Sequence, residues 1–158
     1  MKRNTLIRLA LVFALILSIS AFMCSCGGGE ESSEPEEPEK TADLTLQQYF
    51  EENPDELQQI KDEVAEDEDM QEALKHIDFD VYAKDNTLYY DYTFKETFSQ
   101  DKVDALTDSL EETLESMEDS MVSRIEPIEQ GFGVNGIVIH MMYRNGDGTV
   151  LAERDYTK

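Results

Sequence analysis

The chain has 158 residues, 36 of them acidic and 13 basic, and its formal net charge is −23. A protein this negative repels nucleic acid and anionic lipid, so we expect no nucleic-acid partner. Its two cysteines, Cys24 and Cys26, both stand at the end of an N-terminal apolar run, so the rest of the chain has no disulfide, cysteine-ligated metal or thiol nucleophile.

Residues 1–25 have the organisation of a bacterial export signal. Lys2, Arg3 and Arg8 form a basic start, and residues 9–22 form an almost unbroken apolar run. That run is short for a membrane span, which needs about 20 residues, and suits a signal peptide. An uncleaved N-terminal anchor is the competing interpretation, and the residues that follow the run disfavour it.

Those residues, MCSCGGG at positions 23–29, resemble the lipobox of bacterial lipoproteins. In that pathway a cysteine thiol receives diacylglycerol, and cleavage leaves the cysteine as the first mature residue. The peptidase requires a small residue before the cysteine; Ser25 precedes Cys26, whereas bulky Met23 precedes Cys24. We therefore predict lipidation at Cys26, with Cys24 as the alternative, and a lipid-anchored position on the extracytoplasmic face of the cell membrane.

The lipidated cysteine and the residues after it, 26–43, are predicted to form an acidic disordered tether. Its sequence, CGGGEESSEPEEPEKTAD, has no large apolar side chain and includes two prolines. Such a segment cannot bury enough surface to fold, and its like charges keep it extended. The remaining residues, 44–158, are predicted to form a single domain.

The domain begins with helical patterns. Thr45 is placed to cap a first helix, and Asn53 and Pro54 separate it from a second helix that extends to about residue 66. Residues 70–75 can add one more turn. Residues 76–84 and 87–95 then alternate apolar and polar side chains around the two-residue turn Asp85-Asn86, which predicts a β-hairpin.

A long amphipathic helix follows, with Ser99 as its cap and Pro127 and the glycines of residues 131–136 at its end. Its apolar stripe comprises Val103, Leu106, Leu110, Leu114, Met117 and Met121. Residues 137–144 and 149–156 predict two further strands joined by the turn at 145–148. The order α(α)ββαββ predicts an α+β fold in which helices pack on a four-stranded antiparallel sheet.

One predicted face of this sheet is unusually aromatic. Strand alternation places Tyr82, Tyr89, His140 and Met142 together, opposite the face that must meet the amphipathic helix. Two interpretations remain open: the N-terminal helices cover this face and form a third layer, or the face is a binding platform for a protein partner.

Catalytic and metal chemistry finds little support in the sequence. The turn NGDG at residues 145–148 fails the EF-hand pattern, because Tyr143 and Arg154 would occupy ligand positions one and twelve. His76 and His140 lack neighbouring metal-ligand motifs, and no nucleophile elbow or glycine-rich phosphate loop is present. We therefore expect no catalytic residue, metal or cofactor, and no enzyme.

Four stretches, LTLQQYFEENPDELQQI, VYAKDNTLYYDYTF, VDALTDSLEETLES and GIVIHMMYRNGDGTVLAERDY, carry a resemblance to a known family. The chain resembles an uncharacterised family of small Firmicute cell-surface lipoproteins with a domain of unknown function. The resemblance implies a location in a Gram-positive envelope. We expect a non-enzymatic binding or accessory module that meets an envelope or extracellular protein; the alternative is a structural or envelope-stress lipoprotein with no specific ligand.

Overall fold

The computed structural model of the protein describes residues 44–66 and 68–158. The predicted signal peptide over residues 1–25, the tether over 26–43 and the lipidation site Cys26 lie outside the described residues. The described chain forms five helices and one four-stranded sheet.

Three short helices open the domain: α1 at Leu46–Glu52, α2 at Pro54–Glu66 and α3 at Glu68–Ala73. Thr45 caps α1 through a capping box, in which its hydroxyl accepts from the Gln48 amide and the Gln48 side chain accepts from the Thr45 amide. Pro54 begins α2, where its missing N–H costs no helical hydrogen bond. The predicted cap and the predicted break are both confirmed.

The remaining elements are β1 at Ile77–Lys84, β2 at Thr87–Phe94, α4 at Gln100–Ser116, α5 at Glu118–Phe132, β3 at Val138–Arg144 and β4 at Val150–Tyr156. The predicted strands agree with these bounds to within a residue. The predicted apolar stripe is also confirmed, because Leu110, Leu114 and Met121 are buried.

The single long helix of the prediction is wrong in two respects. The chain breaks at Met117, which ends α4 and precedes α5, and Pro127 lies inside α5 instead of ending it. Proline removes one helical hydrogen bond. The helix continues because apolar residues before and after Pro127 pack against the rest of the domain. Ile125 is fully buried before Pro127, and the Phe132 ring packs on Phe50 after it, with ring centroids 5.1 Å apart.

The prediction of a purely antiparallel sheet is also wrong. The strands lie in the order β1-β2-β3-β4; the two outer pairs are antiparallel, but β2 and β3 are parallel. Thr87 pairs with Val138, so each strand begins at the same end of the sheet. The connection through α4 and α5 makes this possible, since it returns the chain to the end where β2 began.

All five helices bury their apolar side chains in one cluster on one sheet face. The cluster includes Leu46 of α1, Val64 of α2 and Ile125 of α5, together with strand residues such as Val81 and Ile139. The Tyr49 and Phe132 rings are 4.9 Å apart, which places the N-terminal helices beside α5. The described residues therefore form two layers, and none of their helices makes the third layer considered above.

Candidate functional site

The second sheet face carries a row of side chains that runs across all four strands. Strand pairing aligns Tyr82 of β1 with Tyr89 of β2, Tyr89 with His140 of β3, and His140 with Asp155 of β4. The Tyr82 and Tyr89 rings stack at 4.8 Å with a 5° angle between their planes. The Tyr89 and His140 rings are also 4.8 Å apart, and His140 Nδ1 is 2.6 Å from Asp155 Oδ1.

Met142 lies in the next row, between Asp91 and Glu153. It is buried, with 4% of its surface exposed, yet it lies outside the helix-covered core cluster. Tyr82, Tyr89 and His140 are half-buried. The structure therefore brings together all four residues predicted for the platform. We call Tyr82, Tyr89, His140, Met142, Glu153 and Asp155 the aromatic–acidic face.

Ion pairs border this face on the β1 and β2 side. The Arg144 guanidinium Nε donates to both carboxylate oxygens of Asp91, at 3.1 and 3.2 Å. Lys61 of α2 reaches Asp80 at 2.6 Å, and Lys95 lies 3.5 Å from Asp78. Three carboxylates at this side of the sheet thus have a cationic neighbour.

The β4 side differs, because its carboxylates surround a histidine. His140 Nε2 lies 3.6 Å from Glu153 Oε2, while Nδ1 contacts Asp155. A neutral imidazole donates from one nitrogen only, so it can satisfy one of these carboxylates at a time. At the other end of the row, burial together with the nearby charge of Asp91 raises the pKa of Tyr82, which keeps its hydroxyl neutral.

The described residues offer no competing centre with clear chemistry. No group of three or more His, Cys, Asp or Glu among them is arranged to hold a metal ion. An open depression on α2 is lined by Asp55, Gln58, Gln59, Asp62, Glu63 and Glu66. Its lining comes from one helix face and includes no histidine, serine or threonine. The NGDG turn has a structural role, because the Asn145 side chain hydrogen-bonds the backbone of Phe98.

Two functional candidates were missing from the sequence prediction. Glu153 and Asp155 alternate along β4 and so share a face, a signal that the sequence already carried. Their position beside His140 depends on the β3–β4 register, in which His140 pairs with Asp155 and Met142 with Glu153. A bulge between Tyr143 and Arg144 shifts that register, and nothing in the local pattern predicts it.

The fold and this surface define a small two-layer α+β domain with an aromatic and acidic sheet face. Residues 46–156 match the family described as Domain of unknown function (DUF4854), and the chain belongs to that family. The predicted resemblance is confirmed to this extent, while Firmicute origin and lipoprotein character stay predictions. No curated protein matches the chain. No solved structure matches it either. Within the described residues, no helix is long and apolar enough to cross a membrane.

Proposed function

We propose that the protein is a lipid-anchored extracytoplasmic lipoprotein whose domain binds an envelope or extracellular protein and catalyses no reaction. The observation that carries the binding role is the row Tyr82–Tyr89–His140, aligned across three strands and partly exposed. Tyrosine and methionine are enriched at protein interfaces, where aromatic anchors contribute much of the binding energy.

The location rests on the sequence of the N-terminal segment. Residues 1–25 have the basic start and apolar run of a signal peptide, and Ser25 followed by Cys26 suits lipidation. The glycine- and glutamate-rich residues that follow suit an extended tether. A domain held in this way is available to other envelope proteins near the membrane surface.

Photo-crosslinking in intact native cells tests the binding role. We would replace Tyr89 by benzoylphenylalanine in the full chain, and compare it with the same replacement at Glu112, an exposed position on α4. We expect discrete protein adducts from position 89 that are absent from position 112. Equal adduct patterns at both positions, or no adduct at position 89, would contradict the proposed function.

A further inference from the structure

The carboxylates on the sheet side that the described helices leave uncovered differ in their charged neighbours. Asp78, Asp80 and Asp91 each have a lysine or arginine neighbour. Among the described residues, Glu153 and Asp155 form no ion pair with a lysine or arginine; each instead lies beside a ring nitrogen of His140. Their side chains are 56% and 64% exposed. The β4 side of the face therefore presents two accessible negative charges beside aromatic rings.

This combination suits an arginine side chain. Residues two apart on one strand are about 7 Å apart, so Glu153 and Asp155 can accept one guanidinium or two neighbouring ones. A guanidinium donates to carboxylates through a planar fork and also stacks on aromatic rings. Tyr89 and His140, whose rings are 4.8 Å apart, place aromatic surface next to these carboxylates.

The length of the row indicates a peptide segment. From Tyr82 to Asp155 it crosses three strand spacings, about 14 Å in total, which matches roughly four residues of extended chain. A small cation would occupy only the β4 end and leave the Tyr82–Tyr89 stack unused. Because β1 is an edge strand of the sheet that the structure describes, no described strand lies beside the second face of the Tyr82 ring.

We infer that the aromatic–acidic face binds an arginine-rich segment of the partner protein, with guanidinium groups on Glu153 and Asp155 and the adjoining residues on Tyr82 and Tyr89. This inference rests on the proposed function and names the chemistry of its partner. The net charge of −23 attracts a basic segment from a distance and repels a second copy of the chain.

The probe is a fluorescent nonapeptide of alternating arginine and serine, titrated with the detergent-solubilised full chain and followed by fluorescence anisotropy. The control peptide has citrulline at every arginine position, which keeps the shape of the side chain but removes its charge. We expect the arginine peptide to bind, with affinity that falls as salt rises, and the citrulline peptide to bind at least about tenfold more weakly.

Two matched double variants separate the face from the general charge of the protein. Glu153→Gln with Asp155→Asn removes the two face carboxylates; Asp108→Asn with Glu111→Gln removes two exposed carboxylates on α4. We expect an affinity loss of about tenfold for the first and less than about twofold for the second.

Tyr89→Leu, which keeps an apolar side chain, tests the ring stack and should weaken binding about threefold. Thermal melts of each variant identify any loss that comes from unfolding.

Equal losses in the two double variants would overturn the inference, because binding would then follow the overall charge alone. Failure of the arginine peptide to bind, with crosslinking at position 89 intact, would overturn the arginine partner and leave the proposed function standing. Failure of both experiments would overturn both proposals. A concentration-dependent dimer that Tyr89→Leu dissociates would identify a second copy as the occupant and also overturn the inference.

Discussion

The side-chain amide of Asn145 forms two hydrogen bonds with the backbone of Phe98: Oδ1 accepts from the Phe98 N–H at 2.8 Å, and Nδ2 donates to the Phe98 carbonyl at 3.2 Å. Asn145 Oδ1 also accepts from the Gly146 N–H at 3.0 Å. Apart from the tyrosines, Asn145 is the one buried polar side chain among the described residues. It therefore fastens the β3–β4 turn to the loop that leads from β2 into α4.

We expect Asn145→Ala to lower the free energy of unfolding by about 2–4 kcal/mol, because it leaves three backbone groups without their partner. Chemical denaturation of the full chain measures the change. Asn135→Ala is the matched control, since Asn135 is exposed and only its backbone carbonyl is used, by Asn86. An effect below about 1 kcal/mol for Asn145→Ala would show that water replaces the lost hydrogen bonds.

Two glycine substitutions should act in opposite directions. A Cβ at Gly146 would lie 2.7 Å from the backbone carbon of Glu96 and 2.9 Å from the amide nitrogen of Thr97, so Gly146→Ala forces backbone to move. A Cβ at Gly131, within α5, meets nothing within 4 Å. We expect Gly146→Ala to destabilise by about 1–3 kcal/mol and Gly131→Ala to stabilise by about 0.5–1 kcal/mol. Opposite shifts of the thermal midpoint would confirm this difference; shifts of the same sign would contradict it.

The buried tyrosines should make the fold sensitive to alkaline pH. Burial raises the pKa of Tyr156 to about 12 and also raises the pKa of Tyr143. Unfolded tyrosine has a pKa of about 10, so above that pH the unfolded chain loses protons that the folded chain retains. The contribution of Tyr156 to stability is full below a pH of about 10 and is lost as the pH rises through about 12. The contribution of Tyr143 is likewise full below a pH of about 10 and is lost at higher pH.

Denaturant unfolding at successive pH values, with tyrosine ionisation followed by absorbance, checks this pH dependence. Tyr156→Phe is the comparison variant. It loses the hydrogen bond from the Tyr156 hydroxyl to the Leu114 carbonyl, so it should be about 1 kcal/mol less stable at neutral pH. Its stability should then decline less steeply above pH of about 10. Identical slopes for the two proteins would mean that Tyr156 ionises equally in the folded and unfolded chains.

The N-terminal prediction has a direct chemical test. Metabolic labelling with a fatty-acid analogue should mark the wild-type protein and the Cys24→Ala variant, and should fail for Cys26→Ala, because the thioether forms on the Cys26 thiol. Labelling retained in Cys26→Ala but lost in Cys24→Ala would assign the lipid to Cys24. Labelling of neither the wild type nor any variant would remove the lipid anchor from the proposed function.

Local periodicity was enough to predict the four strands, the face of each strand and the buried side of the first part of the long helix. Alternation in residues 76–84 and 87–95 correctly placed Tyr82 and Tyr89 on one face and Val81 and Tyr90 on the other, since successive strand residues point to opposite sides. Spacings of three and four correctly identified the buried side of α4. The roles of Thr45 as a helix cap and of Pro54 as a first-turn residue could be predicted, because both effects act within a few residues of the chain.

Other features depended on contacts between distant segments. One of these features is the parallel direction of β3 beside β2. Two others are the break at Met117 and the sheet side on which α1 and α2 pack. All three depend on the packing of the helices together in one core on the same sheet face.

For the candidate site, the sequence alone grouped Tyr82, Tyr89, His140 and Met142 on one face, because alternation is a local property. Only the tertiary structure decided that Glu153 and Asp155 flank His140 and that the described helices leave this face uncovered. Register between strands and the choice of a packing face are set by long-range burial and pairing, for which a single strand's pattern carries no information.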